Sequence, residues 1–436
     1  MDLSALVEAL GGTREDGCFV DAWSVAATEA RRLTLGTKDA RTGSPHAPLA
    51  LSESLAARYK IVWSDGRISR GVLDRRQIEQ DVAIALREAR VTSYEDPDAK
   101  IVLGPAAFPD VAVFDAAVDE IAGGAVEPLA PRLAAIRARV AAHGFRTWSG
   151  SLQAARATAR VLTSQGLDVE TLGTSWSWHA TFDGEIGAGI SRRSPDDEAS
   201  FLARLDRAIA VALALREDAS KRPGGLVPVL FHPDVVEELF IAALLHNLDG
   251  AAVAHGTGAF RREQFDAREP VLREDLTLRH DPLVPLAAGA YRFTQEGLPA
   301  RAVTYVVGGR LVSPLLDTKY ARRLALTPTP SPSAMDTVFL EGPEPRSYEA
   351  AAAEAAGGAL VLGVLGVHTQ DFTSGDFSMS APQTLALGDG GRFGGRLRAT
   401  ISGNLFAILR SPALRLVAFP GEHTPGILAL CHLDPV

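Results

Sequence analysis

"DVVEELFIAALLHNLDG", Asp234 to Gly250, reads as one helix that carries two glutamates and a histidine in an otherwise apolar run. Its reading decides what the second half of the chain is. A zinc peptidase holds its metal on a helix of this kind, with a Glu beside the first His as base. The pattern here works against that. Asp234 followed by Glu237 has the spacing of a capping box, and Gly250 is a suitable C-terminal stop. Both early acids also suit the positive end of the helix dipole, so Glu237 and Glu238 have a structural role already. Glu238 and His246 are eight residues apart, which is roughly 12 Å along the axis and about 80° around it. Zinc ligands stand only about 2.0–2.2 Å from the ion, so these two cannot share one on an intact helix. One turn before His246 stand Ile241, Ala242 and Ala243, none of them a ligand. His246 therefore reads as a histidine on an apolar helix or as a polar contact in a cleft.

Outside this helix no pair of histidines has ligand spacing with an acid nearby. His179, His255, His280, His368 and His423 are scattered, and only the fold can bring His232 and His255 to His246. Cys18 and Cys431 are the sole cysteines. Two at opposite ends make neither a disulfide framework nor a metal knuckle, and the reading is a reducing cytoplasm. A net charge of −9 with no Lys/Arg-rich run lacks the footprint of a nucleic-acid binder. The N-terminus "MDLSALVEALGG" has no basic region followed by an apolar one, as a signal peptide requires. The longest apolar run, Gly357–Val367, is too short to span a bilayer, so no membrane association is expected.

At 436 residues the chain is long enough for two domains. Gly66–Arg90 begins as a short strand and continues as an amphipathic helix with Ile78, Val82, Ala85, Leu86 and Ala89 on one face. Val126–Gly144 and Asp196–Asp218 are further helices. Between them Trp148–Arg193 has the short alternating runs and Gly punctuation of an antiparallel meander. "ASKRPGG", Ala219–Gly225, is polar and rich in breakers, which sets the boundary between domains 1–220 and 221–436. "LVPVLF" (Leu226–Phe231) is a strand, and β-type segments dominate after the opening helix. "LALTPTPSPSAM" (Leu324–Met335) reads as an exposed loop, and "GDGGRFGG" (Gly388–Gly395) as a hairpin turn. The expected class is α+β: an N-terminal domain of mixed helices and strands, and a C-terminal domain of curved antiparallel sheets around a central buried helix.

Three segments carry a resemblance. "EGLPARAVTYVVGGRLVSPLLDTKYARRL" (Glu296–Leu324) resembles the TldD/PmbA segment in which an "EG" turn precedes a strand, a "GxL" turn and "LDTxxARxLG". "VLGVLGVHTQDFTSGDFSMSAP" (Val361–Pro382) resembles the stretch ending in "TGDFS" in the TldE/PmbA branch. "RATISGNLFAIL" (Arg398–Leu409) is similar to that branch's "xTIAGNL". The family has two kinds of subunit. TldD-type chains carry His-Glu-x-x-x-His on the helix and bind zinc, whereas TldE/PmbA-type chains lack the motif and pair with a TldD-type chain. Counting back from "GTGAF" (Gly256–Phe260) puts the motif on Ile241–His246. Ile241 then stands at the first ligand position, Ala242 at the position of the base, and His246 at the last.

The resemblance implies a zinc-less subunit with no catalytic or metal-binding residue of its own. Its partner would be a TldD-type subunit that holds the zinc, forming a heterodimer that acts on peptides or peptide-like intermediates. His246, His255, His368, Asp376 and Ser378 are the residues expected at the cleft, although Asp376 in "SGDFS" also reads as a turn residue bonding nearby N–H groups. Asp317 and Thr318 read as turn or cap residues. Two other readings stay open. One is a stand-alone binding or regulatory protein. The other is a hydrolase with a rebuilt site, such as Cys431 with His423 or His432.

Overall fold

A computed structural model describes residues 1–41, 48–184 and 186–436. The first half is built on one large antiparallel sheet. Its strands run in the order Tyr94–Glu95, Arg67–Asp74, Leu49–Trp63, Cys18–Arg41, Thr147–Thr163, Asp168–Phe182 and Gly187–Arg192. Cys18–Arg41, 24 residues long, is the backbone of this sheet, since both neighbours pair with it over most of its length. Alternation along a strand sends alternate side chains to opposite faces. On this strand Val25, Ala27 and Leu33 turn to a face covered by helices, while Ala26 turns to the other. There Ala26, Val161 and Val169 pack against Phe293 from the second half. The sheet is thus a wall between its own helices and the rest of the molecule.

Those helices follow the expected periodicity. Glu198–Ala214 buries Phe201, Leu205, Ala208, Ile209 and Ala212, one stripe of a 3.6-residue repeat. Asp197 caps it by accepting from the Ser200 N–H at 2.8 Å. The stripe meets Trp176, Trp178 and Phe182, and Trp178 lies edge-on to Phe201 with ring centroids 4.7 Å apart. The Trp178 indole N–H reaches Asp196 at 3.0 Å, and Asp196 also pairs with Arg132 at 2.6 Å.

In the second half five strands close on themselves. Gly225–Phe231, Gly426–Pro435, Ala399–Asn404, Asp376–Leu387 and Ala359–Leu365 pair in that order, and the last returns to the first in parallel. Closure leaves these strands without a free edge. A small second sheet comprises Arg310–Leu311, Val303–Val307, Thr277–His280 and Val338–Glu341. The α+β class is therefore observed, with a barrel as the form the curved sheets take. The Gly388–Gly395 turn is a hairpin, Leu387 pairing with Phe393. The Leu324–Met335 segment departs from its expected exposure. Thr329 is buried because its hydroxyl accepts the Leu316 N–H at 2.7 Å, and Pro330 is buried beside Tyr305.

The helix that follows Gly225–Phe231 lies in one apolar cluster with both the barrel interior and the small sheet. Val235, Val236, Phe240, Ile241, Ala243, Leu244 and Leu248 are fully buried there. A helix apolar on most sides must be enclosed, which accounts for its composition. Its ends and its winding differ from the expectation. The N-cap is His232, whose ring nitrogen Nδ1 accepts the Asp234 N–H at 3.3 Å, so Asp234 and Glu237 form no capping box. Pro233 at the first position needs no N–H partner and fixes this start. From Val236 to Ile241 the winding is π, with the Ala242 N–H bonded to the Glu237 carbonyl, and α winding resumes over Ala242–Leu248.

Gly250 is not a stop signal either. The chain bends at Asp249, whose carboxylate caps a new helix, Gly250–His255, that ends at Gly256 with φ 64°. Gly250 is glycine for packing: a Cβ there would stand 2.7 Å from the Tyr320 Cβ and 2.9 Å from the Leu316 Cδ2.

Gly250→Leu is accordingly expected to lower stability by about 1–3 kcal/mol through overpacking. Gly123→Ala, where a Cβ meets nothing within 4 Å, should equal or exceed the parent. Thermal melts of both decide the point, and an unchanged melting temperature for Gly250→Leu would contradict the packing account.

Candidate functional site

The C-terminal end of the central helix meets the loop between the strands Ala359–Leu365 and Asp376–Leu387. Asn247, wholly buried, makes this junction. Its amide donates to the Ala243 carbonyl at 2.9 Å and the Phe372 carbonyl at 2.7 Å, and its Oδ1 accepts the Ala259 N–H at 2.6 Å. One side chain thus ties the helix, the Gly256–Phe260 loop and the Gly366–Gly375 loop. Thr373 adds a bond to the Thr257 carbonyl at 3.1 Å. A lone amide within an apolar helix is a signal that sequence reasoning passed over, because attention fell on the neighbouring histidine.

Around this knot the expected cleft residues are all exposed. His246 lies edge-on to Phe372 at 5.6 Å, and His255 lies edge-on to Tyr320 at 5.9 Å. His368 sits in the same loop and is near enough to Glu238 to favour its charged form. Burial first, and the charge of Asp234 second, push the Glu238 carboxyl above the usual range against that pull. Asp376 begins a strand and is not the turn residue: its Oδ1 accepts from Asn404 Nδ2 at 2.8 Å. The turn role falls to Asp371, which accepts the Thr373 N–H at 2.8 Å and is held below the ordinary carboxylate range chiefly by that bond. Ser378 presents its backbone N–H to Gln370 at 2.9 Å.

The residues at the zinc-motif positions do not fit a metal. Ile241 is fully buried in the apolar core, Ala242 is partly exposed, and His246 is exposed. Five residues of regular winding set the first and last positions about 140° apart, in keeping with one facing the core and the other solvent. Among the described residues no group of three His, Cys, Asp or Glu side chains could hold an ion. A hydrolase rebuilt from Cys431 is contradicted by geometry. The thiol is buried, bonded to the Ser402 carbonyl at 3.0 Å, and pushed by burial to about 12. His432 follows it on a strand and so points to the opposite face, while His423 packs against Phe339 with ring centroids 4.6 Å apart.

The two ends of the Glu296–Leu324 segment are joined by a clamp. Both oxygens of the Glu296 carboxylate accept from Thr318, at 2.9 Å from its N–H and 2.7 Å from its hydroxyl. Gly297 has φ 87° and no room for a Cβ, which would lie 2.4 Å from the Leu167 Cδ2. Asp317 caps the helix Thr318–Arg323 by accepting the Tyr320 N–H at 2.7 Å, as expected of it. Lys319 of this helix reaches Asp96 of the first half at 2.8 Å.

With this geometry in view, residues 224–415 match the family model of the PmbA/TldA metallopeptidase C-terminal domain. On that match the second half of the chain belongs to the PmbA/TldD family. In overall fold the chain is similar to TldE from Thermococcus kodakarensis, at 19% identity and TM-score 0.75, over 95% of this chain and 96% of that one. It is similar also to a candidate modulator of DNA gyrase from Bacteroides thetaiotaomicron, at 17% identity and TM-score 0.76, over 100% of this chain and 97% of that one. A corresponding protein from Thermotoga maritima gives 17% identity and TM-score 0.75, over 96% of each chain. No curated protein matches the sequence.

Two outcomes follow from the buried polar groups. Asn247→Leu leaves the Ala259 N–H and the Phe372 carbonyl without partners, and a loss of about 1–3 kcal/mol for each such group is expected. Hydrogen exchange at the Ala259 amide should quicken in step, and protection unchanged in the mutant would refute the tie.

His280, in the small sheet, is wholly buried with neither ring nitrogen in good hydrogen-bond geometry among the described residues, although the Pro330 carbonyl is close enough to act on its charge. Burial lowers it to about 4 from an ordinary 6.5. Between those values the unfolded chain binds the extra proton, so stability rises with pH and falls as the solution is acidified from pH 6.5 towards 4. The slope is at most about 1.4 kcal/mol per pH unit. His280→Phe should remove this part of the pH dependence between pH 6.5 and 5 in denaturant titrations. An identical slope in parent and mutant would show that His280 is not its source.

Proposed function

We propose that this chain is the zinc-less, TldE-type subunit of a two-chain metallopeptidase in the cytoplasm. The observation that carries the reading is Ile241: at the first ligand position stands a fully buried aliphatic side chain, beside an alanine in place of the base. Metal-assisted peptide hydrolysis needs an activated water and a base. A TldD-type partner with His-Glu-x-x-x-His would supply both, and this chain would close one side of the cleft. His246, His255, His368, Asp376 and Ser378, exposed around the Asn247 junction, are the residues placed to touch a peptide or peptide-like substrate there. The chain divides in this reading into domains 1–220 and 221–436, the second carrying the degenerate zinc helix. The family match and the TldE-like fold support it.

The test pairs the purified chain with a TldD-type protein. Alone it should hold far less than one zinc per molecule and cleave no peptide. Together the two should co-elute, with cleavage dependent on the partner's motif Glu. Cleavage by this chain alone, or persisting after loss of that Glu, would sink the proposal. So would stoichiometric zinc that vanishes in His246→Ala.

Rebuilding the site gives a finer check. Ile241→His with Ala242→Glu should gain little zinc, because position 241 faces the core. Ala242→His, one helical turn before His246 and partly exposed like it, should gain more. The reverse order, in variants shown by melting to be folded, would mean the helix is turned differently.

A further inference from the structure

A cavity of about 530 Å³ lies on the other side of the barrel wall from the central helix core, between the helix Glu198–Ala214 and the outer face of the strand Ala359–Leu365. This volume is within the usual range for a small-molecule site. None of the exposed residues around Asn247 lines it. Its wall is mainly apolar, from Val211, Leu360, Leu362 and Phe419. The charged groups at its margin are not equivalent. Arg204 is paired with Glu422 and donates to the Gly421 carbonyl, and Asp234 stands 3.4 Å from His232, a partner of opposite charge when that imidazole is protonated. Arg207 has no carboxylate within ion-pair distance among the described residues, and neither has Glu349 any cation. The Arg207 guanidinium is held over the Gly421 backbone, where a Cβ would stand 2.7 Å from its Nη2. Burial and the neighbouring Arg204 charge act against its protonated form and outweigh the more distant Glu422 carboxylate, which acts for it, so an added anion would be favoured.

One unpaired cation and one unpaired carboxylate around an apolar wall select a small zwitterion with apolar side chains. A third feature points to a peptide unit. Gly187, Ala188 and Gly189 line the same cavity, and they belong to the last strand of the large sheet. Among the described residues that outer edge carries a single bridge, from Arg192 to Ala287, and no strand along Gly187–Gly189, so backbone N–H and C=O groups there are open to a short extended ligand.

We propose that this cavity is a binding site for a free dipeptide with aliphatic side chains, its carboxylate on Arg207 and its ammonium on Glu349. The site is separate from the cleft assigned to the partner interface and does not depend on that assignment, since it is complete within this chain.

Calorimetry on the isolated chain tests it with leucyl-leucine, its C-terminal amide, its N-acetyl derivative and free leucine. Leucyl-leucine should bind with a Kd below about 1 mM. Each blocked form should bind about tenfold more weakly or worse, because each loses a charge-assisted contact. Arg207→Gln should abolish the discrimination against the amide alone, and Glu349→Gln that against the acetylated form alone. Ala210→Trp, from an exposed position on the cavity wall, should block binding without unfolding the chain, as melting would verify. The proposal is overturned if leucyl-leucine fails to bind at millimolar concentration, or if free leucine binds equally well. It is overturned too if discrimination survives both charge substitutions, or if binding survives Ala210→Trp.

Discussion

Enclosure of the central helix is the constraint on which the second half of the molecule depends. The five-strand barrel closes with its inner side chains in the same cluster as the helix, and the small sheet contributes Leu278, Tyr305, Val306 and Leu340 to that cluster. Each fully buried Val, Leu, Ile or Phe contributes about 1.5–3 kcal/mol, so a helix with seven such side chains, from Val235 to Leu248, is held by burial far more than by propensity. Most positions on it are therefore committed to packing. Only Glu237, Glu238, Ala242, Leu245 and His246 retain any solvent access between Val236 and Leu248.

That commitment separates the two ends of the helix chemically. Its N-terminal turn lies among acids and their partners: Asp234 with His232, and Glu237 with the Thr424 hydroxyl. Burial, then the charges of Asp234, Glu422 and Asp336, raise the Glu237 carboxyl, and only the Thr424 bond opposes them. The C-terminal end carries no such carboxylates on the helix itself. It offers the exposed His246, and Asn247 bonds to the Ala243 carbonyl within the helix and to the two neighbouring loops. A peptide-contacting surface is better placed at this end, where the imidazole is accessible and the backbone beneath it is fixed.

The amphipathic helices were legible because their burial stripe depends on local spacing alone, as Phe201, Leu205 and Ile209 show. The meander from Thr147 to Arg192 was legible from its turns. The long strand Cys18–Arg41 was not. Its Ala, Glu and Arg content favours a helix, and only pairing on both sides makes it a strand. In the candidate site, the lack of a metal ligand one turn before His246 was readable from spacing. The π winding before it was not, since no Pro or Gly interrupts Val236–Ile241. Gly250 was misread because a glycine after an apolar run resembles a stop, whereas its real cause is Tyr320, 70 residues on. The Glu296–Thr318 clamp was not legible, since it joins the two ends of one segment through the fold alone.

The same reasoning accounts for why isoleucine suits position 241. An imidazole at that position would lie in a cluster with no described polar partner set aside for it, and an unpaired buried polar group costs several times what a hydrogen bond returns. Isoleucine instead fills the space and adds to the enclosure. Ala242 follows the same logic with a smaller demand, because it is partly exposed. Under the proposed division of labour, a subunit that cedes the chemistry to a partner would be free to use these helix positions for its own stability. What it keeps in return is the exposed rim around Asn247, the part of this structure that a partner and a peptide would still need.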